Sequence, residues 1–215
     1  MRSGAGEKYM CFRTTDKNDR VMIFLDLANI EYGLRDHDGL ENSRLDHECL
    51  AETLIDGRKV AGAMAFDTNE YFESKVSSTI YLSRIGYKIV NGHMEDDGQK
   101  EVDVALATEM IMHAVRDHYD VAILISGDRD YIPAISAVQS LGKKVEVASF
   151  LNSTSRAVMN ISDRYVNIES LPIVEYRAPY KTEICDEING QADIKDGFID
   201  VFELIKTEKE CQEAD

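Results

Sequence analysis

The stretch YDVAILIS (119–126) constrains this chain more than any other. An unbroken apolar run closed by Ser-Gly-Asp reads as a strand buried on both faces, and such strands belong to parallel sheets covered by helices. Further mostly apolar strands are predicted at VMIFLD (21–26), KVAGAMAF (59–66), YKIVN (87–91) and KKVEVASF (143–150). Helical spacing fills the intervals. LDHECLAETLI (45–55) sets Leu45, Cys49, Leu50 and Leu54 at helical steps. NEYFESKVSSTIYLSRIG (69–86) predicts one helix with Tyr71, Phe72, Val76, Ile80 and Tyr81 on a single face, stopped at Gly86. VDVALATEMIMHAVRDH (102–118) and YIPAISAVQSLG (131–142) are amphipathic helices, and STSRAVMNISD (153–163) predicts a shorter one before RYVNIESL. Strands alternating with helices predict an α/β domain, with a central, mainly parallel sheet of about five strands between helical layers.

The pattern changes after Pro172. EYRAPYKTEICDEINGQ has no clean period, and DGFIDVFELIKTEKE (196–210) reads as a short acidic helix. The expected division is an N-terminal extension over 1–20, a domain over 21–175 and an acidic C-terminal extension over 176–215, which carries 11 acidic residues against 5 basic ones. The apolar face of the tail helix, Phe198, Val201, Phe202 and Ile205, offers a route to a homodimer.

Composition narrows the function classes. No apolar run approaches the ~18 residues of a membrane span, and residues 1–20 hold no apolar signal core, so the expected compartment is the cytoplasm. Cys11, Cys49, Cys185 and Cys211 are scattered without a CxxC pair, which argues against structural zinc and a disulfide framework. The net charge of −16 counts against a broad, sequence-independent grip on nucleic acid. A carboxylate cluster built to hold a cation contributes to such a balance, however, and the bound ion reverses the local field.

Ligands of open parallel sheets bind beyond the carboxyl ends of the strands, near the point where strand order reverses. Asp26 stands at that end of the first predicted strand, and Asp128 and Asp130 follow the fourth. Asp103 opens the helix leading to the fourth. If strands one and four are neighbours, these four acids meet in one crevice. Hard divalent cations take oxygen ligands, and Mg²⁺ keeps several of its waters. A cation there relieves repulsion among the acids, lowers the pKa of a water and stabilises charge on phosphate. Asn29 and Ser126 supply polar groups beside the acids, and Gly127 permits the tight turn. Each acid also has a local reading. Asp130 would cap the helix at Tyr131, Asp103 would suit the helix dipole, and Asp26 would be an ordinary strand-end acid. Asp67 follows the second strand among undistinctive neighbours and is set aside. The functional reading rests on Asp26, Asp103, Asp128 and Asp130 occurring together in this order.

The segments FLDLANI, KEVDVALATEM, LISGDRDYIPAI, GKKVEVAS and ISDRYVNI together resemble a NYN-domain protein of the LabA-like branch of the PIN-like nuclease superfamily. The resemblance covers most of the chain, and SGDRD after an apolar strand, with KEVDV upstream, is its most specific part. It implies a PIN-like three-layer α/β/α sandwich and cleavage of RNA with Mg²⁺ or Mn²⁺. Carried over by position, Asp26, Asp103, Asp128 and Asp130 are the metal-binding and catalytic carboxylates. Asn29, Lys100 and Ser126 are implied to position substrate or ligands. Leu27 and Glu101 stand where the family commonly has glycine, and Glu109 where it often has Asp, which implies an altered substrate channel. The resemblance also allows a regulatory or RNA/protein-binding module that keeps the fold without cutting.

Other motifs fail on their chemistry. DIKDGFIDVFE (193–203) resembles half an EF-hand loop, but Ala192 and Ile194 occupy its first two ligand positions. No glycine fingerprint follows the first strand, which disfavours a dinucleotide site. Ala28 stands where a haloacid-dehalogenase-type phosphatase needs a second Asp. The five histidines show no paired-ligand spacing, and His93 reads as a solvated loop residue.

Overall fold

The structure is a computed structural model that describes residues 16–36, 45–92 and 98–171, with the backbone alone for 98–100. Six strands form its sheet: β1 (Arg20–Asp26), β2 (Lys59–Thr68), β3 (Lys88–Gly92), β4 (Val121–Ile125), β5 (Lys144–Ser149) and β6 (Arg164–Asn167). Every pairing is parallel, in the order β3-β2-β1-β4-β5-β6. The central strands are buried along their length, as runs without alternation require.

The strands' two faces carry separate cores. Val21, Ile23 and Leu25 of β1 pack with α1 (Leu27–Arg35), α2 (His47–Ile55), α3 (Asn69–Ser74) and α4 (Val76–Arg84). Met22 and Phe24 face α5 (Gly98–Val115), α6 (Ile132–Ser140) and α7 (Arg156–Ile161). Val102, Leu106, Met110 and Ala114 of α5 recur every fourth residue and form one buried stripe. The result is the expected three-layer α/β/α sandwich.

Three elements depart from the sequence reading. The sheet has six strands rather than about five. β6 is an edge strand with every residue only partly buried, so it lacks the apolar run that marks its neighbours. Helix α1, not predicted, starts directly from β1: Asp26 caps it, and Leu27, Ile30 and Leu34 turn inward. The helix predicted over 69–86 is two helices. At Lys75 the backbone leaves the helical region (φ −125°, ψ 45°), which turns Thr79 and Leu82 inward and leaves Tyr81 exposed. The predicted tail helix and His93 lie outside the described residues.

One buried charge pair belongs to the frame rather than to a site. Arg58 donates to both oxygens of Glu146 on β5 at 2.9 Å, and also to the Leu54 and Ile55 carbonyls. Four of its five N–H donors are thus spent within the fold.

Candidate functional site

The strand order places β1 between β2 and β4, so the chain reverses its outward course between β1 and β4. The crevice beyond their carboxyl ends is where an open α/β sheet binds ligands. Asp26 ends β1 there and is 4% exposed. Its Oδ1 accepts the Asn29 backbone N–H (3.1 Å), while its Oδ2 accepts the Ser126 hydroxyl (2.9 Å) and the Tyr131 hydroxyl (3.2 Å). The Tyr131 oxygen also lies 2.9 Å from Oδ1 of Asp103, on α5. One phenolic proton cannot be donated to both carboxylates at once. Burial pushes the Asp26 carboxyl up to about 6 despite its donors, and the Asp103 charge acts in the same direction. Asp103 is raised too, by burial first and then by the charges of Asp128 and Asp130.

The segment after β4 is tightly determined. Ser126 is fully buried, donates to Asp26 and accepts from the Asp128 N–H (3.3 Å), so it touches the acids rather than solvent. Asn29 Oδ1 accepts the Gly127 N–H at 2.9 Å, which pins α1 to the end of β4 and leaves its NH₂ uncommitted among the described residues. A Cβ on Gly127 would stand 2.6 Å from the Ser153 carbonyl oxygen and 2.8 Å from Thr154 Cα, so only glycine fits. The expected cap at Asp130 belongs instead to Asp128, whose Oδ1 accepts the Asp130 N–H at 2.9 Å. A 3₁₀ turn, Arg129–Tyr131, precedes α6 and moves the first helical turn upstream. Asp130 lies in that turn, exposed. Lys100 falls in the first turn of α5, and its side chain lies outside the described residues.

Asp67, set aside in the sequence reading, belongs to this edge. It follows Phe66, which pairs in register with Asp26, and is 4% exposed. Its Oδ1 accepts the Thr68 N–H at 2.7 Å, but its buried Oδ2 has no partner among the described residues. Asn91, opposite it on β3, has both amide atoms buried and without a partner among the described residues. Burial pushes the Asp67 carboxyl up to about 7, and the charges of Asp26 and Glu31 add to the shift. The available signal was another acid delivered by a buried strand to the same edge.

The two ends of the sheet differ in how they treat acids. At the amino end, Asp120 pairs with Arg20 at 2.8 Å and with Lys143, and the Arg20 hydrogen bond holds its carboxyl well below the usual range. At the carboxyl end, no lysine or arginine among the described residues pairs with Asp26, Asp67, Asp103, Asp128 or Asp130. No three acidic, His or Cys side chains among the described residues are grouped to hold an ion by themselves. The oxygen donors at this edge, the orphaned Asp67 Oδ2 among them, are of the kind a hard cation takes, and an ion held there would keep most of its waters.

A six-stranded parallel sheet between helical layers, with acids gathered beyond β1 and β4, defines a PIN-like α/β domain. The NYN domain family matches residues 20–169, and the chain belongs to that family, within the PIN-like nuclease superfamily. No curated protein matches the chain. The fold is similar to the crystal structure of a protein of unknown function from Vibrio parahaemolyticus, with a TM-score of 0.63 at 22% identity, over 74% of this chain and 98% of that one. No helix among the described residues is long and apolar enough to cross a membrane.

Proposed function

We propose that this NYN domain is a metal-dependent endoribonuclease of the LabA-like branch, acting in the cytoplasm. The observation that carries the reading is the set of acids at the switch point, buried in part and without cationic partners among the described residues, while Asp120 at the opposite edge is paired. Asp26, Asp103, Asp128 and Asp130 would hold Mg²⁺ or Mn²⁺, and Asp67 adds an unpaired carboxylate oxygen on the β2 side. Bound there, the cation would supply charge neutralisation for a phosphodiester and a lowered pKa for the attacking water. The chain's own groups prepare the site. Ser126 and the Asn29 N–H orient Asp26, the Asp128 cap fixes the turn after β4, and the Asn29 NH₂ and Lys100 would contact phosphate.

A non-cleaving RNA- or protein-binding module is the second reading. The net charge of −16 and the absence of a preassembled three-acid group among the described residues favour it. The deciding experiment is cleavage of single-stranded and structured RNAs with Mn²⁺ or Mg²⁺ by wild type and Asp128→Asn. Asn caps a helix as well as Asp, so the variant should fold and lose cleavage. Equal cleavage by the two proteins would eliminate the nuclease reading at this site.

A further inference from the structure

We infer that the Tyr131 hydroxyl is a positioning group that ties Asp103 of α5 to Asp26 of β1 and so sets the cation site; the inference rests on the metal-dependent reading above. Tyr131 is 1% exposed, and its ring is packed in the core with Leu106, Met110 and Ala134. Close packing fixes where the ring points, and therefore where its oxygen emerges. That oxygen stands 2.9 Å from Asp103 Oδ1 and 3.2 Å from Asp26 Oδ2, so its one proton is shared between acids from two elements far apart in sequence, with Asp103 the nearer acceptor.

The two acids depend on it unequally. Asp26 keeps two other donors, the Asn29 N–H and the Ser126 hydroxyl. Asp103 makes no other side-chain hydrogen bond among the described residues. It is half-buried on a helix and faces the like charges of Asp128 and Asp130. Without the hydroxyl, no other side chain among the described residues holds its carboxylate toward β1, and repulsion favours a rotamer turned outward. The 3₁₀ turn capped by Asp128 also carries Tyr131, so one turn places a ligand-bearing acid and the tether of another.

Groups that hydrogen-bond metal-ligating side chains typically control affinity by about 10–100-fold. The test is Mn²⁺ affinity, read by electron paramagnetic resonance of free Mn²⁺ on the full chain. It compares wild type, Tyr131→Phe, Asp103→Asn, Asp128→Asn and the Tyr131→Phe/Asp103→Asn pair. Phe keeps the packed ring, and circular dichroism checks the fold. The expected result is affinity about tenfold or more weaker in Tyr131→Phe, with the double variant no weaker than Asp103→Asn. That non-additivity is the mark of tethering, which a merely structural defect would not produce. Wild-type affinity in Tyr131→Phe, alongside weakened Asp103→Asn and Asp128→Asn, overturns the inference and leaves the metal site standing. Absence of Mn²⁺ binding by wild type, or binding indifferent to Asp103→Asn and Asp128→Asn, removes the metal site and this inference together.

Discussion

Replacing Asp26 with Asn should stabilise the metal-free protein at neutral pH. Burial raises the folded Asp26 carboxyl from its ordinary 3.8 to about 6. An acid raised on folding contributes its full stability below about pH 4 and loses it as pH rises through about 6. A shift of roughly 2 units makes the ionised carboxylate a cost of about 3 kcal/mol above pH 7. Asn carries no charge but has one acceptor oxygen where Asp26 uses two, so about one hydrogen bond, ~1 kcal/mol, is lost. The net expectation at pH 7.5 is a gain of about 2 kcal/mol, or roughly 4–8 °C for a protein of this size. At pH 4 the advantage should vanish or reverse, because the wild-type acid is then largely neutral in the folded state. Urea unfolding followed by circular dichroism, in chelator at both pH values, measures the difference while cancelling contributions from other groups. An Asn variant less stable than wild type at pH 7.5 would refute the reasoning, since the donors around Asp26 would then satisfy its charge. Millimolar Mn²⁺ should raise the wild-type melting temperature and leave the variant nearly unmoved, because only a site that binds the folded form stabilises it.

Asp67→Asn should likewise raise metal-free stability at neutral pH, removing the part of the pH dependence that runs from about 4 to about 7; an unchanged profile would show that Asp67 is solvated. Because the charges of Asp26 and Asp67 act on one another, the double Asn variant should gain less than the sum of the singles. Gly127→Ala should cost about 1–3 kcal/mol, since its Cβ would meet the Ser153 carbonyl oxygen at 2.6 Å and backbone there cannot yield cheaply. A urea midpoint equal to wild type would mean that residues 153–154 shift freely.

The sheet was legible where its strands are buried on both faces: β1 and β4 read as apolar runs, and β5 as a mostly apolar one interrupted by Glu146. β6 was not, since a partly covered edge strand needs no such run. Helix α1 escaped because it follows β1 without a loop, its only start signal being Asp26, which also reads as the end of a strand. The break at Lys75 has no proline or glycine to announce it, and it shows only in the backbone angles. Among the candidate site residues, Asp26 and Asp128 are visible as acids after apolar strands, while Asp67 has undistinctive neighbours in sequence and meets Asn91 and Glu31 only through the fold.

From sequence alone came the alternation of strand and helix, and the delivery of acids to strand ends, since both depend on spacing along the chain. The partner of each acid was a tertiary decision. Strand order set β1 against β4, which brought Ser126 to Asp26. Packing of α5 over the sheet brought Asp103 to the same phenol that Asp26 touches, and hydrogen bonds of 2.9 and 3.2 Å to one oxygen leave no trace in the order of residues. That no described lysine or arginine pairs with these acids was also decided there, because a cationic side chain near in sequence faces wherever its helix or strand turns it.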